Sequence, residues 1–332
     1  MNWFHMKALV LYSGGLDSML AMKLLTQQGI EVIALHINIG FGVKEDRYDV
    51  LKRRAAIAGA TLEVIDVRDE YLLNVLFSPK YGYGKQFNPC IDCHGFMFTV
   101  AKSLLPRYGA SFIATGEVVG QRPMSQNKDA LRLVKKIAND IDEDLILRPL
   151  CALVMEETKP EREGWVDRSK LLGFNGRGRN AQLALAKELG WEDYPTPAGG
   201  CLLTDVQFTV RLRDFVAHDS FAKEDIEVLK NGRHFRLPDG AKLVVGRNET
   251  ENDFIDTLKN PKFDLLHVSG EMNAPSSLLS KNASSSDESL ACRIILSFTK
   301  ALPENAYDLC IGEKILSASP YATKEEAKKY LI

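Results

Sequence analysis

Residues 8–25 read ALVLYSGGLDSMLAMKLL and predict a buried strand, a tight glycine turn and a helix in direct succession. The run Ala8–Tyr12 has the apolar composition of a buried strand, and the segment after the turn spaces its apolar residues by three and four. Gly14 and Gly15 let the chain turn with amide groups exposed at a helix start, where unpaired N–H groups and the helix dipole attract an anion. The stretch Ser13–Ser18 therefore predicts a phosphate-binding loop.

Side chains that suit a bound nucleotide lie in this loop and after the strands that follow it. Ser13 and Ser18 supply hydroxyl donors, and Asp17 is a carboxylate suited to a magnesium ion held on phosphates. Open α/β sheets bind ligands at the carboxyl ends of their strands, so the end of the apolar strand Glu31–Ile37 is a second contact region. The candidate ATP-binding residues are Ser13, Gly14, Gly15, Leu16, Asp17, Ser18, His36, Ile37, Gly116 and Gln121. The structural alternative is an ordinary strand–turn–helix with a polar N-cap.

The composition is that of a globular protein with two domains. The chain has 332 residues, of which 45% are hydrophobic and 26% are charged, and this length supports two cores. Because the net charge is −2, any contact with nucleic acid must use local basic patches. No apolar run approaches the roughly 20 residues that span a bilayer, and residues 1–7 lack the apolar region of a signal peptide. We therefore expect a cytoplasmic protein with no membrane contact.

The order of the predicted elements divides the chain at about residue 217. Before this point apolar strands alternate with helices, which predicts an α/β domain with a doubly wound parallel sheet over residues 1–217. Over residues 218–332 strands and helices are segregated, as in a smaller α+β domain. In this second domain Arg233–Leu237 and Ala241–Gly246, joined by Pro238-Asp239-Gly240, predict a hairpin.

Three of the six cysteines indicate chemistry rather than packing. Cys90 and Cys93 form a Cys-x-x-Cys at a predicted helix start, which favours thiolates, and Cys201 follows a Pro-containing segment and two glycines. Cytosolic chains rarely use cysteines for structural disulfides. If ATP activates a carbonyl as an adenylate, a cysteine persulfide can deliver sulfur and a second cysteine can release it by forming a disulfide.

Other arrangements of the same thiols stay open. Cys90, Cys93 and Cys201 can hold a 4Fe–4S cluster with one iron open for hydrosulfide, or zinc with His94 as the fourth ligand. Inert buried thiols are the structural alternative. On either sulfur route the candidate catalytic residues are Cys90, Cys201 and Asp17.

Basic residues are concentrated in two segments of the first domain. Arg122–Lys136 carries five basic residues against one acidic residue, and Asn175–Asn180 is a loop rich in Gly and Arg that suits a phosphate backbone. A mixed solvated surface is the structural alternative for the first segment. The candidate RNA-binding residues are Arg122, Lys128, Arg177, Arg179 and, in the second domain, Arg247.

The phosphate loop and the cysteine motif resemble known families. Ser13–Ser18 is similar to the Ser-Gly-Gly-x-Asp-Ser loop of the PP-loop ATPases, also called alpha-type ATP pyrophosphatases. With Cys90–Cys93 and Gly120–Gln126 it resembles the adenylation domain of the tRNA 4-thiouridine synthetases. Asn88–Cys93 also resembles the motif of the tRNA 2-thiouridylases, which usually have Asn where this chain has His94.

Two further stretches extend the resemblance. Pro197–Asp205 is similar to a stretch of PP-loop proteins described as tRNA thiolases. The last third of the chain resembles the RNA-binding module of the NFACT family through Leu243–Asn248, Asn252-Asp253 and Leu266–Val268. The first likeness implies sulfur transfer and the second implies RNA binding, with a dimerisation or scaffolding domain as the alternative for the second domain.

Together these resemblances imply an ATP-dependent tRNA uridine thiolase that forms AMP and pyrophosphate. They imply ATP and Mg²⁺ as cofactors, tRNA as a partner, and a sulfur donor that is either a cysteine desulfurase or free sulfide. Two alternatives use the same motifs: a PP-loop ligase that forms an amide or amine through an adenylate on RNA, and an RNA- or ribosome-binding regulator that binds ATP. The target uridine, the choice between persulfide and cluster, and the oligomeric state, a dimer included, stay open.

Overall fold

The computed structural model describes residues 6–42, 48–195 and 200–332. The chain divides into two compact units, Met1–Asp205 and Val206–Ile332. The helix Val206–His218 belongs to the second unit, so the division falls before this helix, whereas the sequence placed it after residue 217. None of the helices in the described ranges is both long and apolar enough to cross a membrane.

The first unit alternates strands and helices along the chain. Its strands are β1 (Lys7–Leu11), β2 (Glu31–Asn38), β3 (Thr61–Asp66), β4 (Phe112–Thr115) and β5 (Ile146–Leu147). Its helices are α1 (Leu16–Thr26), α2 (Tyr48–Ile57), α3 (Arg68–Tyr71), α4 (Cys90–Tyr108), α5 (Lys128–Ile137), α6 (Lys159–Arg162) and α7 (Asn180–Glu188). The sequence predicts a start for the second helix near Glu45, a residue that lies outside the described ranges.

The sheet of the first unit is parallel throughout, in the order β3-β2-β1-β4-β5. This arrangement confirms the predicted doubly wound α/β fold. The chain adds β2 and β3 on one side of β1 and then β4 and β5 on the other, so the strand order reverses between β1 and β4. Sheets of this kind bind ligands at the reversal, beyond the carboxyl ends of the strands.

Helix α1 is buried over most of its surface, which fixes the loop before it. Eight of its eleven residues are buried, and seven of them belong to two apolar clusters. One cluster joins Met19 and Met22 to Val10 and Ala34 of the sheet. The other joins further α1 residues to the loop after β5 and to α7, through Leu16, Leu20, Leu150 and Ala186. A helix that is apolar all round belongs inside a domain, and its first turn is therefore held rigidly at the end of β1.

The second unit has its own antiparallel sheet and core. Its helices are α8 (Val206–His218), α9 (Lys223–Lys230), α10 (Glu249–Thr257), α11 (Ser285–Leu296) and α12 (Lys324–Ala327). Its strands are β6 (Arg233–Arg236), β7 (Lys242–Val245), β8 (Phe263–Val268), β9 (Ser277–Ser280), β10 (Tyr307–Ile311) and β11 (Lys314–Ala318). They pair in the order β11-β10-β8-β9-β7-β6, and every pairing is antiparallel. The predicted α+β module and its hairpin are thus confirmed.

One central strand of this sheet is absent from the sequence prediction. Strand β9 is short and places two leucines between two serines, which gives no period-two alternation. In the structure all four of its residues are buried because β7 and β8 pair with it on both sides. Tertiary pairing, rather than local pattern, makes this segment a strand.

A buried ion-pair cluster ties α8 to the β6–β7 hairpin. Asp214 accepts hydrogen bonds from Lys242 Nζ at 2.6 Å and from Arg236 Nη2 at 2.8 Å. Burial favours the neutral acid, but Arg236 and Lys242 outweigh this effect and hold the pKa of Asp214 below its usual value. The side chain of Lys242 is completely buried, and this burial lowers its pKa to about 8 even though Asp214 opposes the shift. Asp214 is therefore the counter-charge for two cations.

We expect Asp214→Asn to destabilise the second unit by about 3–5 kcal/mol, because a buried Lys242 loses its partner. The folded pKa of Asp214 is depressed, so its contribution is complete above the unfolded pKa of about 3.9 and is lost as the pH falls through the folded value. Urea unfolding followed by circular dichroism measures the loss at neutral pH. The exposed Asp253 gives the control Asp253→Asn, and equal stability of the two variants would contradict the assignment. All three tryptophans, Trp3, Trp165 and Trp191, precede residue 206 in the sequence, so tryptophan fluorescence follows the first unit and not the second.

Candidate active site

A pocket of about 400 Å³ lies at the strand reversal of the first unit. It is lined by the ends of β1, β2 and β4 and by the first turn of α1. All of the predicted ATP-binding residues line it, namely Ser13, Gly14, Gly15, Leu16, Asp17, Ser18, His36, Ile37, Gly116 and Gln121. The structure thus brings together in space residues that are up to about a hundred positions apart in the sequence, while their role as nucleotide contacts stays a prediction.

The loop between β1 and α1 exposes backbone donors to this pocket. Gly14 has a φ of 77°, a conformation that favours glycine. Gly15 is the N-cap of α1 and gives the helix start no side-chain cap. Ser18 Oγ instead donates to the carbonyl oxygen of Gly15 at 2.7 Å. The first amide groups of α1 therefore face a pocket in the arrangement that binds phosphate.

Gly116 fixes the height of this loop above the sheet. It follows β4, and a Cβ atom built on it would lie 2.4 Å from the carbonyl carbon of Asp17 and 2.5 Å from the amide nitrogen of Ser18. No side chain fits in that space. Close backbone approach is the reason for glycine here, and it places the end of β4 directly beneath the phosphate loop.

Asp17 lies in a chain of polar side chains that crosses the pocket. Gln121 Nε2 donates to Asp17 Oδ2 at 2.8 Å, and Arg179 Nη2 donates to Asp17 Oδ1 at 3.3 Å. Gln182 Nε2 donates in turn to Gln121 Oε1 at 3.1 Å. Asp17 and Gln121, which the sequence assigns to the nucleotide, are thus in direct contact. Arg179, which the sequence assigns to RNA, lies with them in the pocket.

His94, Glu117 and Arg148 form a polar group that the sequence analysis did not recognise, and the first two of them are part of the pocket wall. His94 Nδ1 lies 2.7 Å from Glu117 Oε1, and Arg148 Nε donates to Glu117 Oε2 at 3.0 Å. Glu117 is only 5% exposed; burial favours its neutral form, but Arg148 and then His94 outweigh this effect and lower its pKa. The available signal was positional, because Glu117 lies two residues after β4 and Arg148 one residue after the neighbouring strand β5. His94, weighed above as a zinc ligand, instead pairs with this carboxylate.

We expect Glu117→Gln to cost about 3 kcal/mol of unfolding free energy, because the charge of Arg148 is left buried without its carboxylate. His94→Ala removes only one hydrogen bond and should cost about 1 kcal/mol. Urea unfolding followed by tryptophan fluorescence measures both, since the tryptophans lie in this unit. Equal losses for the two variants would mean that the Glu117–Arg148 pair does not hold the wall together.

Backbone hydrogen bonds bring the Cys201 segment to the loop that precedes Cys90. The amide of Leu202 donates to the carbonyl oxygen of Phe41 at 3.0 Å, and the amide of Phe87 donates to that of Leu203 at 3.2 Å. Cys201 lines the pocket, and the charges of both Cys201 and Cys90 act on Cys93. The structure thus gathers the three predicted sulfur residues at one side of the pocket. Residues 196–199, which include part of the predicted Pro197–Asp205 motif, lie outside the described ranges.

Burial reverses the thiolate preference that the sequence predicts for the Cys-x-x-Cys. Burial raises the pKa of Cys90, and the hydrogen bond to Asn88 and the charge of Arg122 offset only part of this effect. Burial also raises the pKa of Cys93 far above its usual value, although an interaction with the Tyr71 hydroxyl opposes the shift. Tyr71 is fully buried. These two thiols are therefore protonated until the site changes or a reaction partner takes the proton.

The cysteines were also tested as metal ligands. All six cysteines of the chain are in the described part, and none of them is in a disulfide. Three thiols supply the donor type of an iron–sulfur cluster. Within the described ranges, however, no group of three or more His, Cys, Asp or Glu side chains is arranged to hold a metal ion. In this arrangement the described residues do not fit a cluster or a zinc ion.

The candidate RNA-binding residues fall into three different environments. Arg122 and Arg179 line the pocket. Lys128, at the start of α5, and Arg177 are exposed. In the second unit Arg247 donates to the buried Glu251, with Nε–O distances of 2.9 and 3.1 Å, so much of its hydrogen-bonding capacity is already used. Within the first unit, two of these residues thus line the pocket and two are exposed, and the RNA-binding role of all five stays a prediction.

The parallel sheet and its pocket at the strand reversal can now be compared with known families. Residues 7–81 match the family described as the arginosuccinate synthase N-terminal HUP domain. In the second unit residues 232–331 match the NFACT protein RNA binding domain. Both assignments agree with the resemblances drawn from the sequence.

Several curated proteins that are similar to this chain carry the names of tRNA-modifying enzymes. The chain is 29% identical over 177 residues to the tRNA-specific 2-thiouridylase MnmA of Helicobacter hepaticus, which covers 46% of this chain and 49% of that protein. It is 31% identical over 152 residues to a probable tRNA sulfurtransferase of Thermococcus kodakarensis, covering 46% and 38%. A solved complex of a 4-thiouridine synthetase with RNA and ATP aligns with 68% of this chain and 52% of its own at 20% identity, with a TM-score of 0.41. The chain thus spans half or less of the length of these curated relatives.

Proposed function

We propose that this protein transfers sulfur to a uridine of tRNA in a reaction that consumes ATP. The observation that carries the proposal is that the phosphate-type loop Ser13–Ser18 and Cys201 line one pocket, with Cys90 and Cys93 beside it. Similarity to 2-thiouridylases and to a tRNA sulfurtransferase over nearly half of the chain supports the same reaction. A PP-loop ligase that forms amides or amines has no need of three thiols at this place.

In the first half-reaction the pocket activates a uracil carbonyl. The carbonyl oxygen attacks the α-phosphorus of ATP, the bond between the α- and β-phosphates breaks, and pyrophosphate leaves. The amide groups at the start of α1 and the hydroxyl of Ser13 would bind the pyrophosphate oxygens, and Ser18, whose hydroxyl donates to the carbonyl oxygen of Gly15, would contribute its amide. Asp17 is the residue that would hold Mg²⁺, which neutralises phosphate charge when it is bound. His36 and Ile37, at the end of β2, supply contacts for the adenosine.

In the second half-reaction sulfur replaces the activated oxygen. A donor of sulfane sulfur, such as a cysteine desulfurase, or sulfide with an oxidant, first charges Cys201 as a persulfide. The terminal sulfur attacks the uracil carbon and AMP leaves with the original oxygen. A second thiolate then attacks the Cys201 sulfur, which forms a disulfide and leaves the sulfur on the base; an external dithiol reduces that disulfide. Cys90 and Cys93, both on the first turn of α4, are the candidates for this second thiol, and Cys90 is the less buried of the two.

Aromatic side chains lie on the buried side of this thiol group. Tyr71 interacts with the buried Cys93, and the rings of Phe41 and Phe96 lie 6.1 and 6.0 Å from the ring of Tyr71. Water hydrolyses an adenylate, and a persulfide that is open to solvent loses its outer sulfur. Exclusion of water from the site therefore protects both intermediates. The second unit supplies the RNA-binding part of the proposal, through its match to the NFACT protein RNA binding domain.

Mass spectrometry of tRNA nucleosides from a strain without this gene tests the proposal. We expect one thiolated uridine to disappear and to return when the wild-type gene is restored. A gene with Cys201→Ser should fail to restore it. If the deletion leaves every thiolated nucleoside at its wild-type level, the proposed function is wrong.

A further inference from the structure

We propose that Arg179 binds the β- and γ-phosphates of ATP, and that Asp17 competes with those phosphates for its guanidinium group. This inference rests on the proposed use of ATP by the pocket. The proposal moves Arg179 from the predicted RNA-contacting loop to the ATP site. The phosphate loop supplies only neutral amides and hydroxyls, and Arg179 adds a positive charge beside it.

The position of Arg179 is fixed by the fold rather than by a flexible loop. The amide of Gly176 donates to the carbonyl oxygen of Val119 at 3.0 Å, and the amide of Phe174 donates to that of Leu150 at 2.8 Å. Gly176 packs closely on Gly120, where an added Cβ atom would lie 3.2 Å from Gly176 Cα. Arg179 itself is the N-cap residue of α7. Its backbone is thus anchored to the segments that follow β4 and β5.

The guanidinium group keeps unused hydrogen-bonding capacity inside the pocket. Arg179 lines the pocket, and its pairing with Asp17 is a single contact of 3.3 Å, longer than the usual 2.7–2.9 Å of a charge-assisted bond. Its buried Nε atom has no hydrogen-bond partner among the described residues. Guanidinium carries five N–H donors in a planar fork that matches phosphate oxygens. The buried donor and the weak pairing point to an anionic ligand that completes the set.

The neighbouring side chains hold Asp17 in place independently of Arg179. Gln121 donates to the other oxygen of Asp17 at 2.8 Å, and the buried Gln182 supports Gln121 at 3.1 Å. Asp17 therefore keeps an oriented carboxylate when Arg179 turns to a phosphate. Asp17 and a triphosphate are both anionic, so they compete for the same cation.

Arg177 provides a matched control in the same loop, because it is exposed and is not among the residues that line the pocket. We expect Arg179→Gln to weaken Mg²⁺–ATP binding roughly tenfold or more, as the loss of a charge-assisted contact implies. The affinity for AMP, which lacks both distal phosphates, should stay within about twofold of wild type, and so should the affinity for bulk tRNA. Arg177→Gln should leave the ATP affinity unchanged. Isothermal titration with ATP and AMP, and filter binding with bulk tRNA, make these measurements.

A second variant tests the competition between Asp17 and ATP for Arg179, because it should raise the ATP affinity rather than lower it. In EDTA, Asp17→Asn releases Arg179, so this variant should bind ATP more tightly than wild type. In the Arg179→Gln background Asp17→Asn should give a smaller gain, because only the removal of one negative charge from the pocket is left and no guanidinium group is released. The comparison is a double-mutant cycle on ATP affinity, with wild type, each single variant and the double variant. A coupling of zero between the two positions would contradict the competition.

The outcomes separate this inference from the proposed function. If Arg179→Gln binds ATP like wild type but loses affinity for tRNA, Arg179 is an RNA contact and the inference is wrong. If it loses AMP and ATP affinity equally, the change acts on pocket shape, which also overturns the inference. If wild type binds ATP with the expected dependence on Arg179 but thiolates no RNA, the inference stands and the proposed function fails. Wild-type protein that binds no ATP would overturn both.

Discussion

Cys201→Ser is expected to abolish sulfur transfer, by about 10³-fold or more in turnover, as loss of a covalent nucleophile does. The substitution removes the only atom of the side chain that can form a persulfide and changes little else in size. Cys201 lies at the pocket edge, whereas the adenosine and phosphate contacts lie on the strand ends and α1. Formation of AMP and pyrophosphate in the presence of tRNA should therefore persist while thiolated nucleoside is lost. A pyrophosphate-release assay and nucleoside mass spectrometry on the same reaction measure both.

The matched control is Cys310→Ser in the second unit. Cys310 is partly exposed like Cys201, but it lies on β10 beside Ser269, with the Cys310 Sγ and Ser269 Oγ atoms 3.2 Å apart. It should retain wild-type thiolation. Parallel Cys93→Ser and Cys90→Ser variants then identify the second thiol. Undiminished thiolation by Cys201→Ser would contradict the sulfur role and favour a ligase reaction through the same adenylate.

Gly116→Ala is expected to disable the phosphate loop although it adds only one methyl group. The new Cβ atom would lie 2.4 Å from the backbone of Asp17, and neither backbone segment can yield without moving β4 or α1. Overpacking of this kind costs about 1–3 kcal/mol of stability. Displacing the loop by about 1 Å should also lower kcat/KM for ATP about a hundredfold, since catalytic geometry tolerates little error. Steady-state pyrophosphate release over a range of ATP concentrations measures the second effect.

Gly178→Ala is the control for this change, because no described atom lies within 4 Å of a Cβ built at that position and its backbone is not left-handed. It should keep both the stability and the ATP dependence of wild type. If Gly116→Ala matches this control, the close approach of β4 to the loop does not constrain the site.

Local sequence pattern was sufficient to predict the fold where an element is long and strongly apolar. The strand–loop–helix around Ser13–Ser18 is of this kind, because β1 and α1 are buried on almost every side and need no distant information to be recognised. Strand β9 is the opposite case, since its four residues become a strand only through pairing with β7 and β8. The sequence-based boundary at residue 217 separated α8 from the second unit for the same reason. The attachment of α8 depends on ion pairs of Asp214 with Arg236 and Lys242, which come from later strands.

The site follows the same rule at the level of side chains. Residues at the ends of parallel strands could be predicted to meet, and His36 and Gly116 do so. The protonation of Cys90 and Cys93 could not be predicted, because helix-start position favours thiolates and only the packed structure reveals that burial outweighs it. Arg179 and Arg177 look equivalent in sequence, yet one lines the pocket and the other is exposed. Their difference depends on how the loop is anchored to Val119 and Leu150.

The most direct test of ATP-dependent thiolation is a single-turnover reaction with purified protein. The protein is first charged with ³⁵S-labelled persulfide, freed of donor, and mixed with ATP, Mg²⁺ and unmodified tRNA. We predict one labelled thiouridine for each AMP formed, no labelled RNA when ATP is omitted, and none with Cys201→Ser. AMP and pyrophosphate formed without label in the RNA, or label transferred without ATP, would contradict the account.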